Sequence, residues 1–121
     1  MTDTLVIRHE TVEEAVQSFG KHLNSSEGRV SHVVAFTDRA ELKRLLTERR
    51  LEIIEAIMSE EPESVERLAE IVGNGAERTR KDVLLLSSRD IVKTVEEGSM
   101  MKPRIPYENV RVESDITTET V

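Results

Sequence analysis

Seven basic side chains between Ala76 and Arg104 have the type and spacing that suit a definite chemistry. Three of them sit in Arg78-Thr-Arg-Lys81, and four more follow at Arg89, Lys93, Lys102 and Arg104. Guanidinium and ammonium groups gathered in this way suit a polyanion: they replace its condensed counterions and can donate to base edges or phosphate oxygens. Five anions interrupt the segment, which is therefore +2, and the rest of the chain is −9 within a total of −7. A locally basic stretch sits on an acidic body. A charge run on a helix is often only a solvated face, so the surrounding elements must decide whether these cations are aimed.

Other chemistries find less support. His9, His22 and His32 are far apart and form no His-x-x-x-His or His-Glu-x-x-His pattern, so no metal site is predicted. There is no cysteine, hence no disulfide framework and no thiolate nucleophile. Gly73-Asn-Gly75 reads as a turn, since no P-loop lysine follows, and Ser87-Ser88 lacks a nucleophile-elbow context. The glutamates fall on exposed helix faces, which leaves paired-carboxylate catalysis without candidates. The expectation is a protein that is not an enzyme and needs no cofactor. No apolar run approaches the roughly 20 residues needed to span a bilayer, and Met1-Thr2-Asp3-Thr4 does not begin a secretory signal. A soluble, cytoplasmic protein is expected. Arginine outnumbers lysine by 12 to 5, and such an acidic, lysine-poor composition resembles that of proteins from salt-loving archaea.

The elements that would position the cations follow from pattern. Leu5–Arg8 reads as a short strand. Thr11-Val-Glu-Glu14 is a capping box that predicts a helix carrying Val12, Ala15, Val16, Phe19 and Leu23 on one face. Asn24–Gly28 is a loop, and β-branched Val30–Phe36 a second strand. Asp38 can cap a short helix through Leu46. Thr47 opens another helix, with Leu51, Ile54, Ile57 and Met58 as its stripe, ending at Glu60-Glu-Pro62. Ser64 caps a helix through Val72 with Val65, Leu68, Ala69 and Val72 inward. Past the glycine turn a third helix covers Ala76–Ser88. Counted at 100° per residue, Thr79, Val83 and Leu86 share its inner side; Glu77 and Lys81 lie opposite, with Arg78 and Arg80 on the flanks. Ile91–Val95 and Met100–Ile105 form a hairpin around Glu96–Ser99, with Pro103 and Pro106 marking an edge arm. Val110–Val112 is a last strand, and the chain from Ile116 is expected to fray.

Two helices joined by a tight turn, then a hairpin, is the order of a winged helix-turn-helix. The expected class is α+β: an N-terminal strand-helix-strand unit over 1–37, available for dimer contact through its strand edges, a winged helix-turn-helix over 38–113 that includes the last strand, and a flexible tail over 114–121. The candidate DNA-facing residues are Ser64, whose helix N-terminus could hold a phosphate, with Asn74, Glu77, Arg78, Arg80, Lys81, Lys93, Lys102 and Arg104. The expected partner is double-stranded DNA, bound by a homodimer. The rival reading is a protein-interaction module or an antitoxin-like autoregulator, whose acidic remainder would suit a basic protein partner.

Leu46-Thr-Glu-Arg-Arg-Leu-Glu-Ile-Ile54, Glu61-Pro-Glu-Ser64, Leu68-Ala69, Val72-Gly73, Asp82-Val83, Leu86 and the closing Pro106-Tyr-Glu-Asn-Val-Arg-Val-Glu113 together resemble an archaeal and bacterial family of DNA-binding transcription regulators. Its winged helix is similar to that of multiple-antibiotic-resistance (MarR-type) regulators, and this chain looks like a haloarchaeal-type member. The resemblance covers most of the chain and implies DNA binding and transcription control. Departures are Asn74-Gly75 where Arg-Asp is usual, Thr79 at a core valine position, Ser88-Arg-Asp-Ile91 for a Leu-Gly-Leu type turn, and Leu84-Leu85 where polar residues are common.

Overall fold

A computed structural model describes residues 3–9, 30–113 and 118–120. The predicted helix carrying Val12 through Leu23, with its Thr11–Glu14 box and the Asn24–Gly28 loop, lies outside the described residues. The described elements are mixed α and β: four helices and two sheets, which is the expected class. The chain divides into two compact units, one built from the residues up to Arg44 together with those from Tyr107, the other spanning Leu45–Pro106.

The first unit is organised by β1 (Thr4–His9) and β2 (Val30–Phe36), which run parallel. Leu5, Val6 and Ile7 are buried in succession, the signature of a central strand rather than of a half-exposed one. The two-stranded arrangement predicted for this end is incomplete. β5 (Asn109–Glu113) lies parallel to β1 on its other side, and β6 (Thr118–Thr120) pairs antiparallel with β5, giving the order β2-β1-β5-β6. The last strand therefore belongs to the first sheet and not to the segment that carries the hairpin, and part of the expected tail is a strand. Val110, fully buried, supplies the reason, because a strand with an apolar inward position needs a sheet to bury it. Backbone amides of Glu108 and Asn109 also donate to the Asp3 carbonyl at 3.0 and 3.2 Å, clamping the two segments at the start of their pairing. In α1 (Arg39–Leu45) the Asp38 carboxylate accepts from the Ala40 amide at 2.9 Å, the expected cap.

In the second unit α2 (Glu48–Glu60) is capped by Thr47, whose hydroxyl accepts from the Arg50 amide at 3.3 Å. It buries Ile53, Ile54, Ala56 and Ile57, while the expected Leu51 and Met58 are only half-buried. The stripe is thus rotated toward residues 53 and 56. The helix stops at Glu61, which takes a left-handed φ of 45° ahead of buried Pro62. α3 (Val65–Val72) starts on Ser64, whose hydroxyl accepts from the Arg67 amide at 3.0 Å. It buries Val65, Leu68 and Ala69. Gly73 closes α3 at φ 74°, and the Asn74 amide reaches back to the Ala69 carbonyl at 3.1 Å. That closure needs a residue free of the Cβ penalty. α4 (Ala76–Ser88) follows at once.

After α4 the chain reverses at Asp90, with φ 61°, and the Ile91 amide donates to the Leu86 carbonyl at 3.1 Å. Aspartate tolerates this left-handed conformation better than most residues, so Asp90 takes the conformation that a glycine would supply. Ile91 and Val92 are buried before the strands begin. β3 (Lys93–Glu97) and β4 (Met100–Arg104) pair antiparallel across a turn at Gly98; β3 lies two residues later than the pattern predicts, while β4 begins at Met100 as expected. Among the described residues no helix is long and apolar enough to cross a membrane.

Candidate functional site

The site is organised by α4. Thr79, Val83 and Leu86 are fully buried along its inner side, as the 100° count predicts. A fourth buried residue is less expected: Asp82, 2% exposed. A carboxylate withdrawn from water needs charged, hydrogen-bonded partners, and two arginines from the start of α2 provide them. Arg49 donates from Nε and Nη2 to the two carboxylate oxygens at 2.8 and 3.0 Å, the bidentate fork. Arg50 donates from Nε to Oδ1 at 3.0 Å and from Nη1 to the Leu45 carbonyl at 2.9 Å. Burial pushes the Asp82 carboxyl up, but the hydrogen bonds and charges of Arg49 and Arg50 outweigh it and hold the group below the usual carboxylate range. The same hydrogen bond raises the Arg49 guanidinium. The triad fixes the middle of α4 against the first turn of α2.

Sequence patterning does not assign this triad, although one signal was available. Cations in the first turn of a helix oppose its dipole, so Arg49-Arg50, in the turn that the Thr47 cap opens, calls for an anionic partner. The consequence for charge is direct. Of the five anions in Ala76–Arg104, Asp82 is turned inward and neutralised, so the exposed part of the segment is more basic than its formal +2.

On the outer side, Glu77, Arg78, Arg80, Lys81, Leu84 and Leu85 are exposed. Arg80 pairs with Glu66 of α3, Nη2 to Oε1 at 3.0 Å, with both side chains near half exposure. Among the described residues the side chains of Arg78 and Lys81 make no hydrogen bond or ion pair. Asn74 is half-buried in the α3–α4 turn. Ser64 is withdrawn from the surface, 5% exposed and committed to its cap, while the neighbouring Glu63 and Glu66 are exposed. Acidic flanks of that kind oppose an anion at the α3 N-terminus.

The hairpin brings its three cations together. Lys93 stands directly opposite Arg104, and Val95 opposite Lys102. Alternation along each strand then puts Lys93, Lys102 and Arg104 on one face, while buried Pro103 marks the other. Like charges directly across a ladder are destabilising by tenths of a kcal/mol to about 1 kcal/mol, and among the described residues none of the three has an anionic partner. The opposite electrostatic character occurs between α2 and α3, where Glu52, Glu55 and Glu60 rim an open groove floored by Ala56, Ile71 and Val72. Among the described residues no cluster of His, Asp or Glu side chains could hold a metal ion.

The region holding these features is the one shared with other proteins. Residues 45–112, more than half of the chain, match the family described as HVO_A0114, and the chain belongs to that family. No curated protein matches it.

Proposed function

We propose that the protein is a sequence-specific, DNA-binding transcription regulator of the cytoplasm: a winged helix-turn-helix in which α3 and α4 form the helix pair, α4 enters the major groove, and the β3–β4 hairpin is the wing. The observation that carries the reading is the division of α4. It buries Thr79, Val83 and Leu86 and leaves Arg78 and Lys81 exposed, without an intramolecular partner among the described residues. A helix held by one face and cationic on the other suits a groove that admits one helix and rewards Arg and Lys donors. The wing supports it independently. Lys93 facing Arg104 costs stability, and a phosphate backbone would reverse that cost. Arg80 serves either Glu66 or a phosphate. The acidic remainder of the molecule keeps non-specific attraction low, so contact depends on presenting this face. A dimer would present two such helices to the halves of a pseudo-palindromic site.

The test is fluorescence anisotropy on duplexes from upstream of the protein's own gene, over a series of salt concentrations. Binding should weaken steeply with salt. The double variant Arg78→Ala, Lys81→Ala should bind more weakly and lower the slope of log affinity against log salt by up to about 2, with thermal unfolding unchanged. Unchanged affinity and slope would mean that α4 is not the recognition helix.

A further inference from the structure

Three large apolar side chains stand out on the surface of the described residues: Leu84, 47% exposed, Leu85, 44% exposed, and Met100 at the hairpin turn, 42% exposed. Two of the three belong to α4, the helix whose outer side is otherwise polar. Residues three, four and seven apart share a helix face. Leu85 is four residues beyond Lys81 and seven beyond Arg78, so it continues the stripe of the two cations that lack partners among the described residues. A surface meant only for phosphate gains nothing from a leucine in line with its charges. A surface meant for the major groove does, because one base edge there is apolar: the C5-methyl group of thymine.

We propose that Leu85 is a specificity-determining residue that packs on a thymine methyl group in the major groove, while Arg78 and Lys81 supply the polar contacts. The inference rests on the DNA-binding reading above and adds the base that is read. Duplex DNA is the occupant favoured for this face by charge, since the leucine sits in line with exposed cations on the more basic part of an acidic molecule. Seven residues of helix rise about 10 Å, close to three base-pair steps. The thymine read by Leu85 thus lies within about three steps of the bases or phosphates met by Arg78.

The experiment starts from the intact protein and a random duplex pool, enriched for bound sequences. The thymines of the winning site are replaced one at a time by deoxyuridine, which keeps pairing and removes only the methyl group. Wild-type protein should lose about fourfold in affinity at one or two positions, the factor that burying one methyl group contributes. Leu85→Ala should bind thymine and uracil sites equally. Leu84→Ala, which neighbours Lys81 but lies in line with Glu77 and Arg80 rather than with Arg78, should keep the discrimination. Specific binding with no loss at any uracil would overturn the role of Leu85 and leave the regulator reading standing. Failure of the pool to enrich any duplex would sink both. A Leu85→Ala protein that changes its sedimentation, from a wild type indifferent to the methyl group, would reassign the leucine to a protein contact. The deoxyuridine series on wild-type protein decides the matter even if a variant fails to fold.

Discussion

Helices α2 and α4 are both thirteen residues long and both carry cations in their first two turns, yet those cations do opposite things. Arg49 and Arg50 of α2 turn to the buried carboxylate of Asp82 and are held there at 2.8 to 3.0 Å. Arg78 and Lys81 of α4 are exposed and make no such pair among the described residues. Residue type does not distinguish the two cases. The difference is whether a buried acceptor stands within reach, and Asp82, on the inner side of α4, is that acceptor. The two sets are also linked: the arginines that are consumed fix the helix that displays the others.

The largest effect is expected from removing the link. Asp82→Asn leaves two arginines facing a neutral group and should destabilise the fold by about 2–4 kcal/mol, less than a fully buried pair because both guanidiniums reach water in part. Urea unfolding measures it. The pH dependence has a definite sign. Asp82 is held below its ordinary value, so its stabilising contribution is present above the unfolded value of about 3.9 and is lost as pH falls through the folded value. The stability gap between wild type and Asp82→Asn should be constant near neutrality and close progressively below about pH 4. A gap that stayed open in acid would mean that the cost of the variant has nothing to do with the charge of Asp82.

How far the sequence reveals this comparison can be judged residue by residue. The bounds of α4, its caps-and-turn neighbours and its inner residues Thr79, Val83 and Leu86 follow from local signals: Ser64, Gly73 and a 3.6-residue period. What sequence patterning leaves out is long-range. The Arg49–Arg50–Asp82 triad joins residues more than thirty positions apart, and no local preference encodes it. The pairing of β5 with β1 is long-range in the same way. Its sequence, Asn-Val-Arg-Val-Glu, reads as a strand but does not say which sheet will take it. Among the candidate residues, hairpin register gathers Lys93, Lys102 and Arg104, while Ser64 is drawn into a cap because the first amides of α3 need an acceptor.

Thr79 sharpens the contrast between satisfied and unsatisfied groups on one helix. One turn before Asp82, its hydroxyl is fully buried and finds no hydrogen-bond partner among the described residues. Asp82 has three donors and Thr79 Oγ1 none. Thr79→Val keeps the shape and removes the unpaired oxygen, so it should stabilise the fold by about 1 kcal/mol. The increase would be read in the same urea titration, and on the proposed reading DNA affinity would be unaltered because the side chain never reaches the surface. A destabilised variant would mean that the hydroxyl is bonded in solution.

Arg80 is the intermediate case, a cation of α4 paired like those of α2 but at the surface. Its bond to Glu66 is exposed on both sides, and such pairs contribute between nothing and about 1 kcal/mol. Glu66→Ala should therefore leave unfolding within about 0.5 kcal/mol of wild type. On the DNA-binding reading proposed above, its effect on affinity would have two sources, the loss of one negative charge and the release of Arg80. Glu70→Ala separates them, since Glu70 is also an exposed carboxylate of α3 but pairs with Arg67. If the freed guanidinium reaches a phosphate, Glu66→Ala should gain about twofold more affinity than Glu70→Ala and steepen the salt dependence by up to one unit. Equal gains from the two variants would show that only net charge matters at this position. Arg80 would then belong with the arginines of α2, as a residue spent on the protein, and the displayed set on α4 would shrink to Arg78 and Lys81.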